Sequence, residues 1–150
     1  MTFHPTLSEA RTYIEGFLGY TFVNIDWLEE ALWAYPTTLS SGKNLIDGNK
    51  SLAVVGDAVL HIIVAEQCYD QGMIRGDANN CLKLVVSNPS LGQLARAHGI
   101  SQFVITNPGT GQMSDYMRAT AVEAVLGAVI KDNGYDYDVL RRAVAAFGVI

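Results

Sequence analysis

A long apolar segment in the middle of the chain constrains the fold more than any other part of the sequence. From about Lys50 to Tyr69, apolar side chains recur at intervals of three and four residues, which is the period of an α-helix. The segment is apolar on more than one side, yet it carries Asp57 and His61. It is therefore predicted to form the longest helix of the chain.

Several shorter segments show the same periodicity and are separated by breaks rich in Gly, Pro and Asn. Only Phe103–Thr106 resembles a strand, and four residues do not make a sheet. The predicted fold class is therefore all-α, with about seven helices around one core. The predicted N-caps are Ser8, Asp26, either Ser114 or Asp115, and Asp138. The predicted helices are Glu9–Leu18, Trp27–Tyr35 (ended by Pro36), Lys50–Tyr69, Asn79–Ser87, Ser90–His98, Asp115–Lys131 and Asp138–Phe147.

The composition is that of a folded domain. With 150 residues, 49% of them hydrophobic and 17% charged, the chain is expected to form one domain over residues 1–150, and disorder is excluded. Its most apolar stretch, Leu52–Val64, is shorter than the roughly 20 residues of a membrane span, so no membrane association is predicted. Cys68 and Cys81 form no disulfide or metal-binding pattern, and the N-terminus lacks the features of a signal peptide. An intracellular protein, cytoplasmic or nuclear, is expected.

Two carboxylates lie within apolar helical segments, where an isolated charge is unfavourable. Asp57 belongs to the long segment and Glu123 to a later one, and each has a glycine nearby, Gly56 and Gly127. These glycines would let the two helix backbones approach closely and bring the carboxylates together. The pair is then either a site for a divalent cation such as Mg²⁺, which needs only one or two protein carboxylates, or a structural pair with a neighbour such as Arg118.

His61 lies one helical turn beyond Asp57, so the two side chains share a face of the predicted helix. Two interpretations follow from this spacing. His61 either contributes to catalysis or orients the aspartate, or it is a core or interface residue, which is the more common role of a histidine in an apolar segment.

The segment NKSLAVVGDAVL, from Asn49 to Leu60, resembles the signature helix of the ribonuclease III family. The resemblance extends from about Ile14 to Gly134, because further motifs follow in the order that the family shows. These motifs are LGYTF at 18–22 with Asn24, Leu28–Leu32, Val86-Ser87-Asn88 with Leu91, and AVEAVLGAV at 121–129. Arg75-Gly76, Asn79-Asn80 and Asn107-Pro108-Gly109 look most like the single-domain ribonuclease III proteins of filamentous fungi.

The resemblance implies a ribonuclease III endonuclease-domain fold that forms a homodimer through the 50–69 helix. It also implies cleavage of double-stranded RNA with Mg²⁺ as the cofactor, or Mn²⁺ in its place. The same resemblance assigns metal binding and catalysis to Asp57 and Glu123. Asn49, Lys50 and Thr120 are then supporting polar groups around these two acids.

The sequence departs from the family at two of the four carboxylates of its catalytic cluster. Ala53 takes the place of the second acid on the signature helix, and Thr120 takes the place of the second acid on the later helix. The loss of two charges is expected to weaken cation binding, although water can fill vacated positions. Thr120 is expected to hold a metal-bound water. Lys50, which replaces a further family glutamate, is expected either to contact a phosphate or to neutralise Asp57.

The expected affinity for RNA is low. The net charge is −5, and nothing after Gly134 resembles the separate double-stranded-RNA-binding domain of many family members. Lysine and arginine contacts to phosphates supply most nucleic-acid affinity. RNA binding is therefore expected to be sensitive to salt unless dimerisation or a protein partner adds contacts.

Two functions remain open. In the first, the protein is a Mg²⁺-dependent endoribonuclease for RNA processing, weakened by the two missing carboxylates. In the second, it is an inactive ribonuclease III-like subunit with a structural or RNA-binding role in a ribonucleoprotein. The retained Asp57 and Glu123 favour the enzyme. Pairing of these acids with Lys50 or Arg118 would instead favour the inactive subunit.

Overall fold

A computed structural model describes residues 5–150, and this part of the chain forms seven α-helices. A two-residue antiparallel hairpin and a short 3₁₀ turn are its other regular elements. The predicted all-α class is confirmed. The helices are α1 (Leu7–Leu18), α2 (Asp26–Leu32), α3 (Lys50–Asp70), α4 (Arg75–Val85), α5 (Asn88–Ala97), α6 (Asp115–Asp132) and α7 (Tyr137–Ala146), and the hairpin joins β1 (Thr37–Thr38) to β2 (Asn44–Leu45).

Helix α6 lies at the centre of the domain. Between Ala119 and Ile130 it is buried at every position except Glu123, because α2, α3, α5 and α7 pack around it. A helix that is covered on all sides has no polar face, which explains why α6 is apolar all round. Helix α3 makes the most extensive of these contacts.

Helix α2 ends at Leu32, three residues before the predicted end at Tyr35. The cause is a tertiary contact with the segment after α5. The amide of Ile105 donates to the carbonyl of Leu32 at 2.7 Å, and the amide of Ala34 donates to the carbonyl of Ile105 at 2.8 Å. These bonds draw the chain out of the helix before Pro36 is reached. Ile105 is the only residue of the predicted strand segment in a β-bridge, which it forms with Trp33.

Several helix starts differ from the prediction because another polar residue caps the helix. Thr6, not Ser8, caps α1, since its hydroxyl accepts from the amide of Glu9 and the Glu9 carboxylate accepts from the amide of Thr6. Asp136, not Asp138, caps α7. Asp26 is the first residue of α2 and caps nothing. The alternative of Ser114 as the cap of α6 is confirmed.

The length of α3 shows that the sequence argument against a membrane span, which counted only Leu52–Val64, was wrong. The helix runs for 21 residues, with a mean hydropathy of 1.5 over its most apolar 18-residue window, and by length and composition alone it is long and apolar enough to cross a bilayer. In the fold, 44% of that window is buried. Packing against α6 accounts for the apolar side chains on the buried face of α3, as in the core helices of many globular domains.

Candidate metal centre

Helices α3 and α6 cross with their backbones in contact at two glycines. A Cβ on Gly56 would lie 1.6 Å from the carbonyl oxygen of Glu123, and a Cβ on Gly127 would lie 2.5 Å from the carbonyl oxygen of Leu52. No side chain fits at either position. The order of these contacts shows that the helices run antiparallel, and the predicted close approach of the two backbones is confirmed.

The crossing brings Asp57 and Glu123 close enough for their charges to interact. Burial, and after it the neighbouring charge of Asp57, raise the pKa of Glu123 from 4.5 to about 7. Asp57 and Glu123 are both half-buried, and the Asp57 side chain is 47% exposed. The site is therefore a pair of like charges that opens to solvent on the side of Asp57, an arrangement that a divalent cation would stabilise.

Neither of the basic residues considered as partners neutralises this pair. Lys50 forms its ion pair with Asp47, at 3.4 Å from Nζ to Oδ1. Arg118 forms its ion pair with Asp115, at 3.3 Å from Nη1 to Oδ1. Both basic side chains are thus engaged elsewhere, and the interpretation of the acids as a structural pair loses its two named partners.

The supporting residues Asn49 and Thr120 have well-defined contacts. Asn49 is 1% exposed, and its Nδ2 donates to the carbonyl of Ala31 at 2.8 Å, which ties the start of α3 to α2. The Thr120 hydroxyl donates to the carbonyl of Tyr116 at 2.8 Å within α6. The Thr120 oxygen keeps lone pairs that can accept from a water. Asn49 therefore positions the helix, whereas the hydrogen bond of the buried Thr120 stays within α6.

His61 lies beside Asp57, and of the core and interface roles that sequence reasoning favoured, the structure excludes the core. Its Nε2 lies 3.2 Å from Oδ1 of Asp57, and 46% of its side chain is exposed, which excludes a core role. The signal in the sequence is the spacing of four residues on one helix. The structure thus adds an imidazole beside one of the two carboxylates.

The donor set fits a hard divalent cation that keeps part of its hydration shell. Within residues 5–150, no group of three or more His, Cys, Asp or Glu side chains could hold a metal ion, so protein side chains would supply at most two ligands. Mg²⁺ binds through one or two carboxylates, with waters and substrate phosphates as its remaining ligands. Asp57 and Glu123 are the residues that would hold it.

Replacement of Glu123 by Gln is expected to stabilise the metal-free protein above pH 7. Because the pKa of Glu123 is higher in the folded protein, folding favours the protonated form. Its contribution to the free energy of unfolding therefore falls as the pH rises from about 4.5 through about 7. Gln carries no charge to desolvate.

Thermal unfolding in the presence of a chelator, followed between pH 5 and pH 8.5, measures this effect. The Tm difference between Glu123→Gln and the wild type should grow with pH. Equal Tm values throughout the range would show that Glu123 is not under electrostatic strain.

Comparison with known proteins agrees with this arrangement of helices. The family model of the Ribonuclease III domain matches residues 50–134, more than half of the chain and both helices of the site. The chain belongs to the ribonuclease III family. It is 31% identical over 131 residues to Ribonuclease 3 of Shewanella sp. (strain ANA-3), covering 83% of this chain and 54% of that protein. Ribonuclease 3 of Caldanaerobacter subterraneus subsp. tengcongensis is 31% identical over 143 residues, covering 89% and 60%.

Solved structures show the same ribonuclease III fold. The nuclease domain of ribonuclease III from Campylobacter jejuni superposes with a TM-score of 0.76 at 22% identity, covering 91% of this chain and 92% of that one. A second structure of that domain, described for flexibility in a region involved in dimer formation, gives the same TM-score at 21% identity, covering 90% and 94%. The chain spans a little over half the length of the curated ribonuclease III relatives named above.

Proposed function

We propose that the protein is a divalent-cation-dependent endoribonuclease that cleaves double-stranded RNA, with Mg²⁺ as the ordinary cofactor. The observation that carries this proposal is the pair of carboxylates, Asp57 and Glu123, held together by the glycine crossing and paired with neither Lys50 nor Arg118. Membership of the ribonuclease III family supports the reaction class.

The two acids differ in what they offer to substrate and cation. When bound, a divalent cation activates water and stabilises charge on the scissile phosphate. Asp57 is the carboxylate that faces solvent, from which RNA approaches. Glu123 is desolvated by burial, and its raised pKa of about 7 leaves it only partly ionised near neutral pH unless a cation compensates its charge. Thr120, one turn before Glu123, has a hydroxyl oxygen that can accept a hydrogen bond from a water.

Lys50 is suited to hold a phosphate of the RNA. Its side chain is 46% exposed and pairs only with Asp47, which is itself 59% exposed. Surface ion pairs of this kind contribute little energy, so exchange of Asp47 for a phosphate oxygen has a small cost. This supports the phosphate-binding alternative for Lys50 over neutralisation of Asp57.

An exposed apolar stripe on α3 supports a homodimer. Val54, Ile62 and Tyr69 are 70%, 49% and 82% exposed, and they follow one face of the helix. Large apolar side chains grouped on one face of a long helix are typical of a surface that another chain covers. The dimer-formation region described for the Campylobacter jejuni domain agrees with such an assembly.

Replacement of Ile62 by Glu is expected to convert the dimer into a monomer, because a buried, unpaired carboxylate at an interface is strongly unfavourable. Sedimentation velocity at micromolar concentration measures the change. Ile46→Glu is the matched control, since Ile46 is 83% exposed and lies outside α3. A dimer in both variants would place the interface elsewhere.

RNA affinity from this domain alone is low. Six of the ten lysines and arginines, all within residues 5–150, stand in ion pairs with carboxylates. A partner protein or the second subunit would add phosphate contacts. The paired basic residues are Arg11, Lys43, Lys50, Arg96, Arg118 and Arg141.

The second candidate function is an inactive subunit with a structural or RNA-binding role. It is favoured by the residues at the two positions where the family has further acids. Ala53 offers no ligand atom, and the Thr120 hydroxyl donates its hydrogen bond to a carbonyl within its own helix. Incubation of long double-stranded RNA with the purified protein separates the two functions. The enzyme is expected to cut in Mg²⁺ or Mn²⁺ and not with a chelator, whereas a folded dimer that cuts in neither metal is the inactive subunit.

A further inference from the structure

Two of the basic residues that form no ion pair lie together on helix α4. Among the ten lysines and arginines, all within residues 5–150, the four without a carboxylate partner are Arg75, Lys83, Lys131 and Arg142. Lys131 lies over two aromatic rings, and Arg142 belongs to α7. Arg75 and Lys83 are both on α4, and both are exposed.

These two cations belong to a polar face of α4. The side chains of α4 that pack against the core are Ala78, Cys81, Leu82 and Val85. Arg75, Asn79 and Lys83 follow one another at intervals of four residues, so they share a face of the helix, and Asn80 lies beside them. All four residues are exposed, and together they form the α4 face. Asp77 comes two residues after Arg75 and points to a different side of the helix.

Helix α4 borders the side of α3 that carries Asp57. Cys68 follows His61 by two helical turns, so it lies on the same side of α3 as Asp57 and His61. Those two side chains are about half exposed, whereas Cys68 is only 2% exposed. Burial, and after it the neighbouring thiol of Cys81 on α4, raise the pKa of the Cys68 thiol. Helix α4 therefore covers this side of α3 at about 16 Å along the helix from Asp57.

An RNA duplex at the two acids is long enough to reach α4. Protein contacts to double-stranded RNA extend over about 16 base pairs in a common binding module, and they consist mostly of phosphate and 2′-hydroxyl contacts across the minor groove. The α4 face matches that order of groups. Arg75 and Lys83 lie about 12 Å apart along the helix axis, with the amides of Asn79 and Asn80 between them.

The residue types on the α4 face favour RNA over a protein partner. Guanidinium and ammonium groups bind phosphates, and an amide can both donate to and accept from a hydroxyl. Lysine is depleted in the cores of protein–protein interfaces, which are instead rich in aromatic side chains. Helix α4 has no aromatic residue. The charge of Arg75 and Lys83 also complements RNA, although the chain as a whole is acidic.

We propose that the α4 face binds double-stranded RNA across its minor groove, with Arg75 and Lys83 on phosphates and Asn79 and Asn80 on 2′-hydroxyl groups. This inference rests on the proposed function, because the RNA that α4 holds is the substrate of Asp57 and its neighbouring acid. It assigns to one helix the phosphate contacts that the paired basic residues do not supply.

Binding of labelled double-stranded RNA to the full chain, followed by fluorescence polarisation in a chelator, tests the proposal without cleavage. The variant is Arg75→Gln combined with Lys83→Gln. Its matched control is Lys131→Gln combined with Arg142→Gln, which removes the same charge from the other two unpaired basic residues. Measurement at several salt concentrations counts the phosphate contacts, and circular dichroism checks the fold of each variant.

The Arg75→Gln/Lys83→Gln variant is expected to bind at least about tenfold more weakly at low salt, because it loses two phosphate contacts. The slope of log affinity against log salt should fall by about 2, which is about 1 for each contact. The control should stay within about twofold of the wild type, since charges farther than about 10 Å from a phosphate are screened at 0.1 M salt.

The two asparagines are tested by the choice between RNA and DNA. The 2′-hydroxyl is the group that distinguishes the two duplexes. Asn79→Ala combined with Asn80→Ala should therefore lower the preference for double-stranded RNA over DNA of the same sequence by about threefold or more, the effect of one hydrogen bond.

Two results would overturn the inference and leave the proposed function intact. The first is an equal affinity and salt slope in wild type and Arg75→Gln/Lys83→Gln. The second is an equal loss of affinity in that variant and its control, which would show an effect of total charge alone. A wild type that neither binds nor cuts double-stranded RNA in Mg²⁺ or Mn²⁺ would instead contradict the proposed function itself.

Discussion

Replacement of Asp57 by Asn, or of Glu123 by Gln, is expected to reduce cleavage of double-stranded RNA at least about 1,000-fold. A catalytic cation contributes several kcal/mol of transition-state stabilisation, and each 1.4 kcal/mol, approximately, is a factor of ten in rate. Because the site has only two carboxylates, the loss of either one should remove nearly all of the stabilisation that the cation provides. Single-turnover cleavage of end-labelled RNA at saturating Mg²⁺ measures the rates.

The control for this experiment is an exposed carboxylate on the same helix. Asp70, the last residue of α3, is exposed and distant from the glycine crossing, so Asp70→Asn should cleave within about twofold of the wild type, as expected for a surface change away from the site. Circular dichroism of all variants checks the fold. Unchanged cleavage by Asp57→Asn and Glu123→Gln would place catalysis at another site.

Replacement of Gly56 by Ala is expected to lower the free energy of unfolding by more than about 3 kcal/mol, the upper end of the usual cost of overpacking. The added methyl group would lie 1.6 Å from the carbonyl oxygen of Glu123 and 2.5 Å from its carbonyl carbon. The obstacle is backbone, so no rotamer change can relieve the clash and the two helices must separate. Equilibrium unfolding in urea gives the change.

Gly16→Ala is the matched control, because Gly16 lies inside α1 and a Cβ there meets no atom within 4 Å. It should stabilise the protein by up to about 1 kcal/mol, the difference in helix propensity between glycine and alanine. A Gly56→Ala variant within 1 kcal/mol of the wild type, roughly, would contradict the close crossing of α3 and α6.

Stability and function meet at this crossing. Gly56 lies next to Asp57 in the chain and against the backbone of Glu123 in space, so the contact that packs the two helices also places the two acids. A partly destabilised variant that still folds should therefore lose metal affinity together with stability. The glycine contact stabilises the fold, whereas the ionised Glu123 carboxylate lowers the free energy of unfolding of the metal-free protein above pH 7.

The parts of the fold that sequence predicted well are those fixed by local patterns over many residues. The predicted Lys50–Tyr69 helix differs from α3 by one residue at its end, and the predicted Asp115–Lys131 helix differs from α6 in the same way. Both are long apolar periodic segments. The two glycines beside the acids also predicted the crossing, because a gap in the side chains of a helix permits close backbone contact.

The errors lie where a distant or competing partner decides the outcome. Helix α2 ends early because Leu32 and Ala34 bond to Ile105, a residue far along the chain. Helix α4 begins at Arg75, four residues before the predicted Asn79. The prediction started late because the first turn of the helix is polar and shows no apolar periodicity. Helix α1 is capped by reciprocal hydrogen bonds between Thr6 and Glu9. The prediction of Ser8 as the cap considered one residue alone and missed this pair.

The sequence by itself determined the helical class, the membership of the ribonuclease III family and the two acids of the site, because these depend on periodicity and on residue types at fixed spacing. Only the tertiary structure decided which charges meet. Asp57 and Glu123 meet across the crossing of α3 and α6, whereas Lys50 and Arg118 pair with Asp47 and Asp115, each three residues before them. His61 turned to Asp57 rather than into the core. The approach of Asp57 to Glu123 and the exposure of each side chain depend on where whole helices lie in space, and that is set by the packing of α3 on α6.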